Sequence, residues 1–308
     1  MNNVNATWVA VDWGTTNIRI WAIDSSDNVI AYSESDEGMK DLQQNEFEPV
    51  LLNLIGNWLD GDRVTPVIAC GMVGARQGWL ETPYQKAPCV PINIKKLTVV
   101  STTDARIQVN VIPGIKQHYP ADIMRGEETQ IAGFLKVNPE FDGIVCLPGT
   151  HIKWAKVSKY KVEKFTTFMT GELFDVISVN TLLSHSIGDN GWHQSSFEKG
   201  IMNGFKNPSL IAAETFSLRA ESILNGVDSK NTRSKLSGLL IGIELHATKN
   251  YWQGNKVIII GSEVLIKHYS KALQLVGGES DSFNAEVATL AGLRYAYNEL
   301  HTNYKTND

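Results

Sequence analysis

The stretch Trp8-Val9-Ala10-Val11-Asp12-Trp13-Gly14-Thr15-Thr16-Asn17-Ile18-Arg19-Ile20-Trp21-Ala22-Ile23-Asp24 decides the fold of this chain. An apolar strand enters Asp-x-Gly-Thr-Thr, and a second strand, Ile18 to Ile23, leaves at once. The tip of this tight turn carries a carboxylate, a glycine and two hydroxyls. Gly14 has no Cβ, so the backbone there can approach a ligand closely. Successive N–H groups in such a turn form an anion nest, to which Thr15, Thr16 and Asn17 add polar side chains. Asp12 cannot serve the anion itself. A carboxylate beside a phosphate requires a cation between them, so Asp12 points to Mg²⁺. The plain alternative is a hairpin with a polar tip.

Working outward, a third short strand is expected near Val29 to Ser33. The apolar period then changes: Phe47, Val50, Leu51, Leu54, Ile55 and Leu59 recur at helical spacing. Val64 to Ala69 reads as a strand ending in Cys70-Gly71-Met72-Val73-Gly74. Residues 80–112 read as short strands and loops. A helix is expected from about Arg125 to Lys136, stopped at Asn138-Pro139. The opening theme then returns: strand Gly143 to Leu147, turn Pro148-Gly149-Thr150-His151, strand Ile152 to Val157, strand Val162 to Phe168. Residues 170–230 read as mostly helical, and Leu236 to Tyr251 as an apolar helix. A strand from Lys256 to Ile260 ends in Gly261-Ser262, and the last helix spans about Asn284 to Leu300, before a polar, frayed tail. Two related halves follow, 1–137 and 138–308, the first completed by the C-terminal helix.

The chain has 308 residues, 43% apolar and 20% charged, with a formal net charge of −5. That suits an ordinary globular protein and excludes a general nucleic-acid binder, which needs a basic stripe. Cys70, Cys89 and Cys146 have no metal spacing and no even-numbered framework, which fits a reducing cytoplasm. No basic segment followed by an apolar run marks a signal peptide, and no apolar run reaches membrane-spanning length.

In this order, the Asp-x-Gly-Thr-Thr turn, the central Gly-Thr turn and the late strand-Gly-Ser-helix resemble the phosphate-1, phosphate-2 and adenosine motifs of the sugar kinase/Hsp70/actin superfamily. More closely, the chain resembles the 2-dehydro-3-deoxygalactonokinase family. The residues that carry this are Val11 to Arg19, Gly71-Met72-Val73-Gly74, Gly78-Trp79, Met124 to Gln130, Pro148 to Trp154, Met169 to Leu173 and Leu236 to Gly242. The resemblance implies an α/β fold of two RNase H-like (actin-like ATPase) domains around an interdomain cleft. It implies ATP-dependent phosphorylation of 2-dehydro-3-deoxygalactonate to its 6-phosphate, in galactonate breakdown, with ATP and Mg²⁺ as cofactors.

On that resemblance, Gly14, Thr15, Thr16 and Asn17 hold the β- and γ-phosphates, and Asp12 the metal. Gly149 and Thr150 touch phosphate, with Lys153 one strand residue further on. Gly261 and Ser262 underlie the adenosine. The second phosphate turn departs from the superfamily in having Leu147-Pro148 where an Asp usually begins it. A catalytic base must then come from elsewhere, and Glu128, with Glu127 as alternative, stands at the start of the preceding helix. The same acids would also complement the helix dipole.

A substrate carboxylate calls for a cation, and Arg125 and Arg76 are the candidates, each also readable as a surface arginine. Met72, Gly74 and Trp79 would line the sugar pocket, Trp79 being equally readable as core. His151 reads as a loop-holding hydrogen-bonder. The partners implied are ATP and a small sugar acid, with a homo-oligomer left open and neither nucleic acid nor membrane expected. The rivals are a kinase of another sugar or amino sugar, and an ATP-binding sensor without turnover.

Overall fold

The computed structural model describes residues 5–188 and 190–305, with side chains through residue 302. The expectations for the first four residues and the end of the polar tail lie outside the described residues. The chain divides into two compact units, Met1–Phe141 with Ser158–Lys164 and Ala285–Asp308, and Asp142–Val157 with Phe165–Asn284.

The first unit begins with β1 (Trp8–Trp13), β2 (Ile18–Ile23) and β3 (Val29–Ser35), followed by α1 (Phe47–Ile55) and β4 (Thr65–Gly71). Then come β5 (Gln85–Lys86), β6 (Thr98–Val99), β7 (Ile107–Val111), β8 (Ile115–His118), β9 (Ala121–Met124) and α2 (Glu127–Val137). Its main sheet has the order β3-β2-β1-β4-β7-β6. β1 pairs antiparallel with β2 and parallel with β4, which is parallel to β7. β1 reads as a continuous apolar run because both sides of the sheet are covered. On one side Val9, Val11 and Trp13 meet Phe47, Leu51 and Ile55 of α1. On the other, Trp8, Ala10 and Cys70 meet Ala132 of α2 and Leu293 and Ala296 of α9 (Ala285–Lys305).

The C-terminal helix thus belongs to the first unit. Its seam with α2 is backbone on backbone. A Cβ on Gly133 would lie 1.9 Å from the Ala288 carbonyl oxygen, and one on Gly292 2.1 Å from that of Thr129. Strands β8 and β9, with β5, form a small separate sheet that the sequence reading did not anticipate.

A second sheet repeats the pattern with β10 (Gly143–Leu147), β11 (Ile152–Ser158), β12 (Lys161–Phe168), β13 (Val257–Gly261) and β14 (Asp281–Asn284), in the order β12-β11-β10-β13-β14, and belongs to the second unit apart from residues 158–164. β10 is antiparallel to β11 and parallel to β13, as β1 is to β2 and β4. Both sheets therefore show the RNase H-like order of a three-strand meander followed by crossovers. Helices α3 (Thr170–Asn180), α4 (Gln194–Lys206), α5 (Ile211–Asn225), α6 (Ser229–Ala247), α7 (Lys249–Trp252) and α8 (Glu263–Leu275) complete the unit. The expected helix Leu236 to Tyr251 begins earlier, at an Asp228 cap, and breaks at Thr248, whose hydroxyl donates back to the Glu244 carbonyl.

α4 and α6 meet through four glycines. Added Cβ atoms on Gly200, Gly204, Gly238 and Gly242 would lie 2.0–2.2 Å from carbonyl oxygens of the facing helix.

Candidate functional site

In the first unit, the β1–β2 hairpin register sets Asp12 across from Arg19. Arg19 Nη2 donates to Asp12 Oδ2 at 2.5 Å. The turn is closed by Gly14 N–H donating to the Asn17 carbonyl, 2.8 Å, and leaves Thr15, Thr16 and Asn17 exposed. Its own carbonyls face away from solvent: those of Gly14 and Thr15 accept from the Met39 and Lys40 N–H groups, both at 3.0 Å. The turn therefore offers hydroxyls and side-chain amide outward, as an anion cradle should.

Two glycines at positive φ bring further residues to Asp12. Gly71 (φ 90°) ends β4, where a Cβ would lie 2.6 Å from the Trp13 carbonyl oxygen and 3.5 Å from Asp12 Oδ1. Gly126 (φ 104°) precedes α2, and its Cβ would lie 3.4 Å from the Gly71 Cα. At Gly71 both the conformation and the closeness call for glycine, and at Gly126 the conformation does. The Gly126 N–H donates to both Glu128 carboxylate oxygens, 2.8 and 2.9 Å, and the Arg125 N–H donates to Glu127 Oε2, 2.9 Å. Both acids thus fold back over the helix start. Glu128 is fully buried, and burial, reinforced by the Glu127 charge, pushes it up to about 8. Glu127 is half-buried.

Arg125 is nine-tenths buried. Nη1 donates to Thr82 Oγ1, Nη2 to the Thr82 carbonyl at 3.1 Å, and the guanidinium lies 4.3 Å from the Tyr84 ring centroid. Nε has no hydrogen-bond partner, and no carboxylate pairs with this cation among the described residues. Gly74 makes room for it: a Cβ there would sit 2.8 Å from Nη1. Arg125, Gly74 and half-buried Met72 are thus on adjoining backbone. Arg76 is exposed and lines a separate shallow depression with Lys40 and Gln43. Trp79 stands in the core, 6.3 Å from the Trp13 ring and 6.2 Å from that of Phe47.

In the second unit, Gly149, Thr150 and His151 are exposed on the turn between β10 and β11. The first turn of α3 supports them. Glu172 N–H donates to the Thr150 carbonyl at 3.0 Å, and His151 Nε2 meets Glu172 Oε2 at 2.5 Å. Gly261 stands against Pro148, with a Cβ position 3.3 Å from the ring, and Ser262 caps α8. The second turn and the Gly-Ser turn are therefore neighbours. Beside them opens a cavity of about 360 Å³, lined by Gly149, Thr150, Thr170, Arg233, His268 and Tyr269 among others. Trp192 and His268 stack at 4.0 Å on its wall. Lys153 is buried on β11 and is not part of that lining.

The sequence reading did not find Arg19, Thr82, Tyr84, Thr170, Trp192 or Tyr269. Arg19 was findable, because a four-residue hairpin loop fixes its register opposite Asp12. The others are brought in by tertiary contact.

A metal has one hard ligand to lean on here. Among the described residues no three His, Cys, Asp or Glu side chains gather as a metal cage. Asp12 alone, beside an anion cradle, fits Mg²⁺, which commonly takes one carboxylate with phosphates and water.

The family model described as 2-keto-3-deoxy-galactonokinase matches residues 12–296. A Rhizobium meliloti relative, named as a probable 2-dehydro-3-deoxygalactonokinase, is 36% identical over 297 residues, covering 94% of this chain and 96% of its own. An Escherichia coli 2-dehydro-3-deoxygalactonokinase is 29% identical, covering 94% and 97%. A crystal structure from Sinorhizobium meliloti, named as a putative 2-dehydro-3-deoxygalactonokinase, superposes with TM-score 0.87 at 34% identity, covering 95% of this chain and 99% of its own.

Proposed function

Because the chain belongs to the 2-keto-3-deoxy-galactonokinase family, we propose that it transfers the γ-phosphoryl group of ATP to the 6-hydroxyl of 2-dehydro-3-deoxy-D-galactonate. The observation that carries the acid as acceptor is Arg125, a buried cation whose Nε–H has no hydrogen-bond partner and which forms no ion pair with a carboxylate among the described residues. Burying an unpaired charge is costly unless a partner arrives. A planar carboxylate matches guanidinium donors bidentately, which a neutral hexose or amino sugar cannot do.

The remaining roles follow from the chemistry of the groups. Thr15, Thr16, Asn17 and the Gly14 backbone bind the terminal phosphates, and Gly149 and Thr150 a further phosphate oxygen. The cavity beside Gly261 and Ser262 takes the nucleoside. Asp12 holds Mg²⁺, which supplies charge neutralisation when bound. Arg19 holds the Asp12 carboxylate in place at its other oxygen. Phosphoryl transfer rests mainly on positioning, with a carboxylate accepting the hydroxyl proton.

Glu128 is the base in this reading; pushed up to about 8, it accepts the hydroxyl proton only from its ionised form, which is the minor form at neutral pH and grows as pH rises towards 8. Its burial favours a second reading, in which half-buried Glu127 meets the hydroxyl and Glu128 holds the Gly126 turn. The three free cysteines accord with a cytoplasmic enzyme.

The test is a phosphorylation screen with ATP and Mg²⁺ over hexoses, amino sugars and 2-keto-3-deoxy acids, with the product identified by phosphorus NMR. Turnover is expected on the galactonate-derived acid, giving the 6-phosphate. Turnover confined to a neutral or amino sugar, or nucleotide binding without any turnover, would overturn the reading.

A further inference from the structure

Glu244 lies in the last turn of α6, inside the apolar run Leu239 to Leu245, and is 1% exposed. Its carboxylate gathers three donors from three other elements. Trp154 Nε1 of β11 donates to Oε1 at 2.8 Å, Thr170 Oγ1 of α3 donates to Oε2, and Tyr269 OH of α8 donates to Oε2 at 3.0 Å. Among the described residues no lysine, arginine or histidine pairs with it, and its titration is set by burial and these three hydrogen bonds. Cys146 of β10 also lies in its field, its thiol pushed well up by burial and by Glu244. Burial pushes Glu244 itself up to about 7, against the pull of its three hydrogen bonds.

An uncompensated buried carboxylate is an odd choice for stability alone, because a neutral isostere avoids the desolvation cost. Its partners say what it does. Thr170 and Tyr269 both line the cavity beside the Gly149-Thr150 turn. Thr170 opens α3, whose next residue, Gly171, lies against that turn: a Cβ there would be 2.4 Å from the Gly149 carbonyl oxygen. Trp154 is on the strand that leaves the turn, and Tyr269 is on the helix that follows Gly261-Ser262. One carboxylate therefore ties the phosphate side of the cavity to its nucleoside side. It also sets hydroxyl polarity. With their protons committed to Glu244, Thr170 and Tyr269 can offer the cavity lone pairs only.

We infer that Glu244 is a positioning residue for nucleotide binding, its ionised form holding Thr170 and Tyr269 so that the cavity takes ATP. This rests on reading the cavity as the nucleotide site. Protonation of Glu244 withdraws one acceptor site from the cluster, and the hydroxyls lose their fixed orientation. ATP affinity should then fall as pH drops from 8 to 6.

The experiment combines steady-state kinetics with calorimetric binding of a non-hydrolysable ATP analogue, on the full chain at pH 6 to 8. Glu244→Gln should raise the KM for ATP about three- to tenfold, the scale of one misplaced hydrogen bond, with the KM for the sugar acid unchanged. A merely structural role would instead lower kcat through the active fraction and leave the KM for ATP alone. Analogue affinity of the unsubstituted protein relative to Glu244→Gln should fall about tenfold from pH 8 to pH 6, a ratio in which the analogue's own titration cancels.

Tyr269→Phe keeps the ring and removes one donor, which raises the Glu244 value. It should move the midpoint of this pH dependence upward, and it tests the idea even if Glu244→Gln does not fold. An unchanged KM for ATP in Glu244→Gln, or an unmoved midpoint in Tyr269→Phe, overturns the role of Glu244. Normal phosphoryl transfer by the unsubstituted protein, with an analogue that protects Gly149 and Thr150 but leaves Trp192 and His268 untouched in NMR shift mapping, overturns the assignment of the cavity instead.

Discussion

Replacing Arg125 with methionine should have opposite effects on the free protein and on the loaded one. In the free protein the guanidinium is nine-tenths buried, with two hydrogen bonds to Thr82, one face on Tyr84 and no acid partner. A cation–π contact of this kind is worth about 0.5–2 kcal/mol, and neutral hydrogen-bond acceptors recover only part of the cost of desolvating a charge. Methionine fills similar space without the charge, so the unliganded variant should be as stable as the unsubstituted protein to within about 1 kcal/mol, or more stable.

With the sugar acid bound, the balance reverses. Losing a charge-assisted, bidentate contact costs about 1.5–3 kcal/mol, or about ten- to a hundredfold in the KM for the acid. The KM for ATP should barely move. Thermal melts should show the same split. Acid at about a hundred times its Kd stabilises the unsubstituted protein by about 2.7 kcal/mol, and that increment should largely vanish at the same concentration in the variant. An Arg125→Met protein that loses ATP affinity alone would put Arg125 with the phosphates. One that melts far below the parent without ligand would make it a structural residue held for Thr82 and Tyr84.

Asp12→Asn should cut turnover at least about a hundredfold with the fold intact, the scale of lost charge neutralisation; near-normal turnover of a well-folded variant removes the metal role. It also removes the carboxylate proposed to hold the ion, so added Mg²⁺ should no longer tighten ATP binding in calorimetry. Glu128→Gln should lower single-turnover rates about a hundred- to ten-thousandfold if Glu128 is the base, and the inactive variant will be Glu127→Gln if the half-buried acid does the work. Since Glu128 rises from an ordinary glutamate value to about 8 on folding, the folded state holds the extra proton. Its contribution to stability is therefore present at pH 4 and lost as pH climbs to 8. Glu128→Gln should flatten that decline in denaturant titrations, whereas an unchanged slope would assign it to other groups. Gly133→Ala, whose methyl would meet the Ala288 carbonyl at 1.9 Å, should destabilise by about 1–3 kcal/mol or more through overpacking, read as a lower melting temperature.

Much of this molecule is legible from residue pattern because its sheets are covered on both sides. β1, β4, β10 and β13 are apolar nearly throughout, and each ends at a glycine or polar turn that the eye can find. β14, by contrast, is Asp-Ser-Phe-Asn and largely exposed; its backbone is a strand only because β13 offers it a ladder. β8 and β9 fall between the short strands and loops expected over residues 80–112 and the helix expected from about Arg125, and they likewise stand on pairing with each other. Within the site, the Asp12 turn and the Gly126-Glu127-Glu128 helix start are local and were readable. Thr82 and Tyr84 reach Arg125 from some forty residues away, and no spacing rule announces them. Trp79 sits beside a glycine turn in sequence but stacks into the core, because an indole of that size finds more contact between Trp13 and Phe47. Glu244 left one trace, a lone acid within an apolar helical run, and such an acid is worth a question in any sequence.

The glycine seam between α4 and α6 restricts how the second unit can deform. Gly200 and Gly204 face Lys235 and Leu239 carbonyls, while Gly238 and Gly242 face those of Phe197 and Ile201, a reciprocal mesh with a four-residue step. At these four glycines backbone meets backbone, so they have no side chains of their own to flex and take up a small slide. Displacement along the seam is all or nothing, since the next equivalent register lies about 6 Å away, one helical turn. The two helices must therefore travel as a single spar. Any give on loading the cavity falls to α3 and α5, where Val179, Phe216 and Ile223 are exposed and no such ratchet applies.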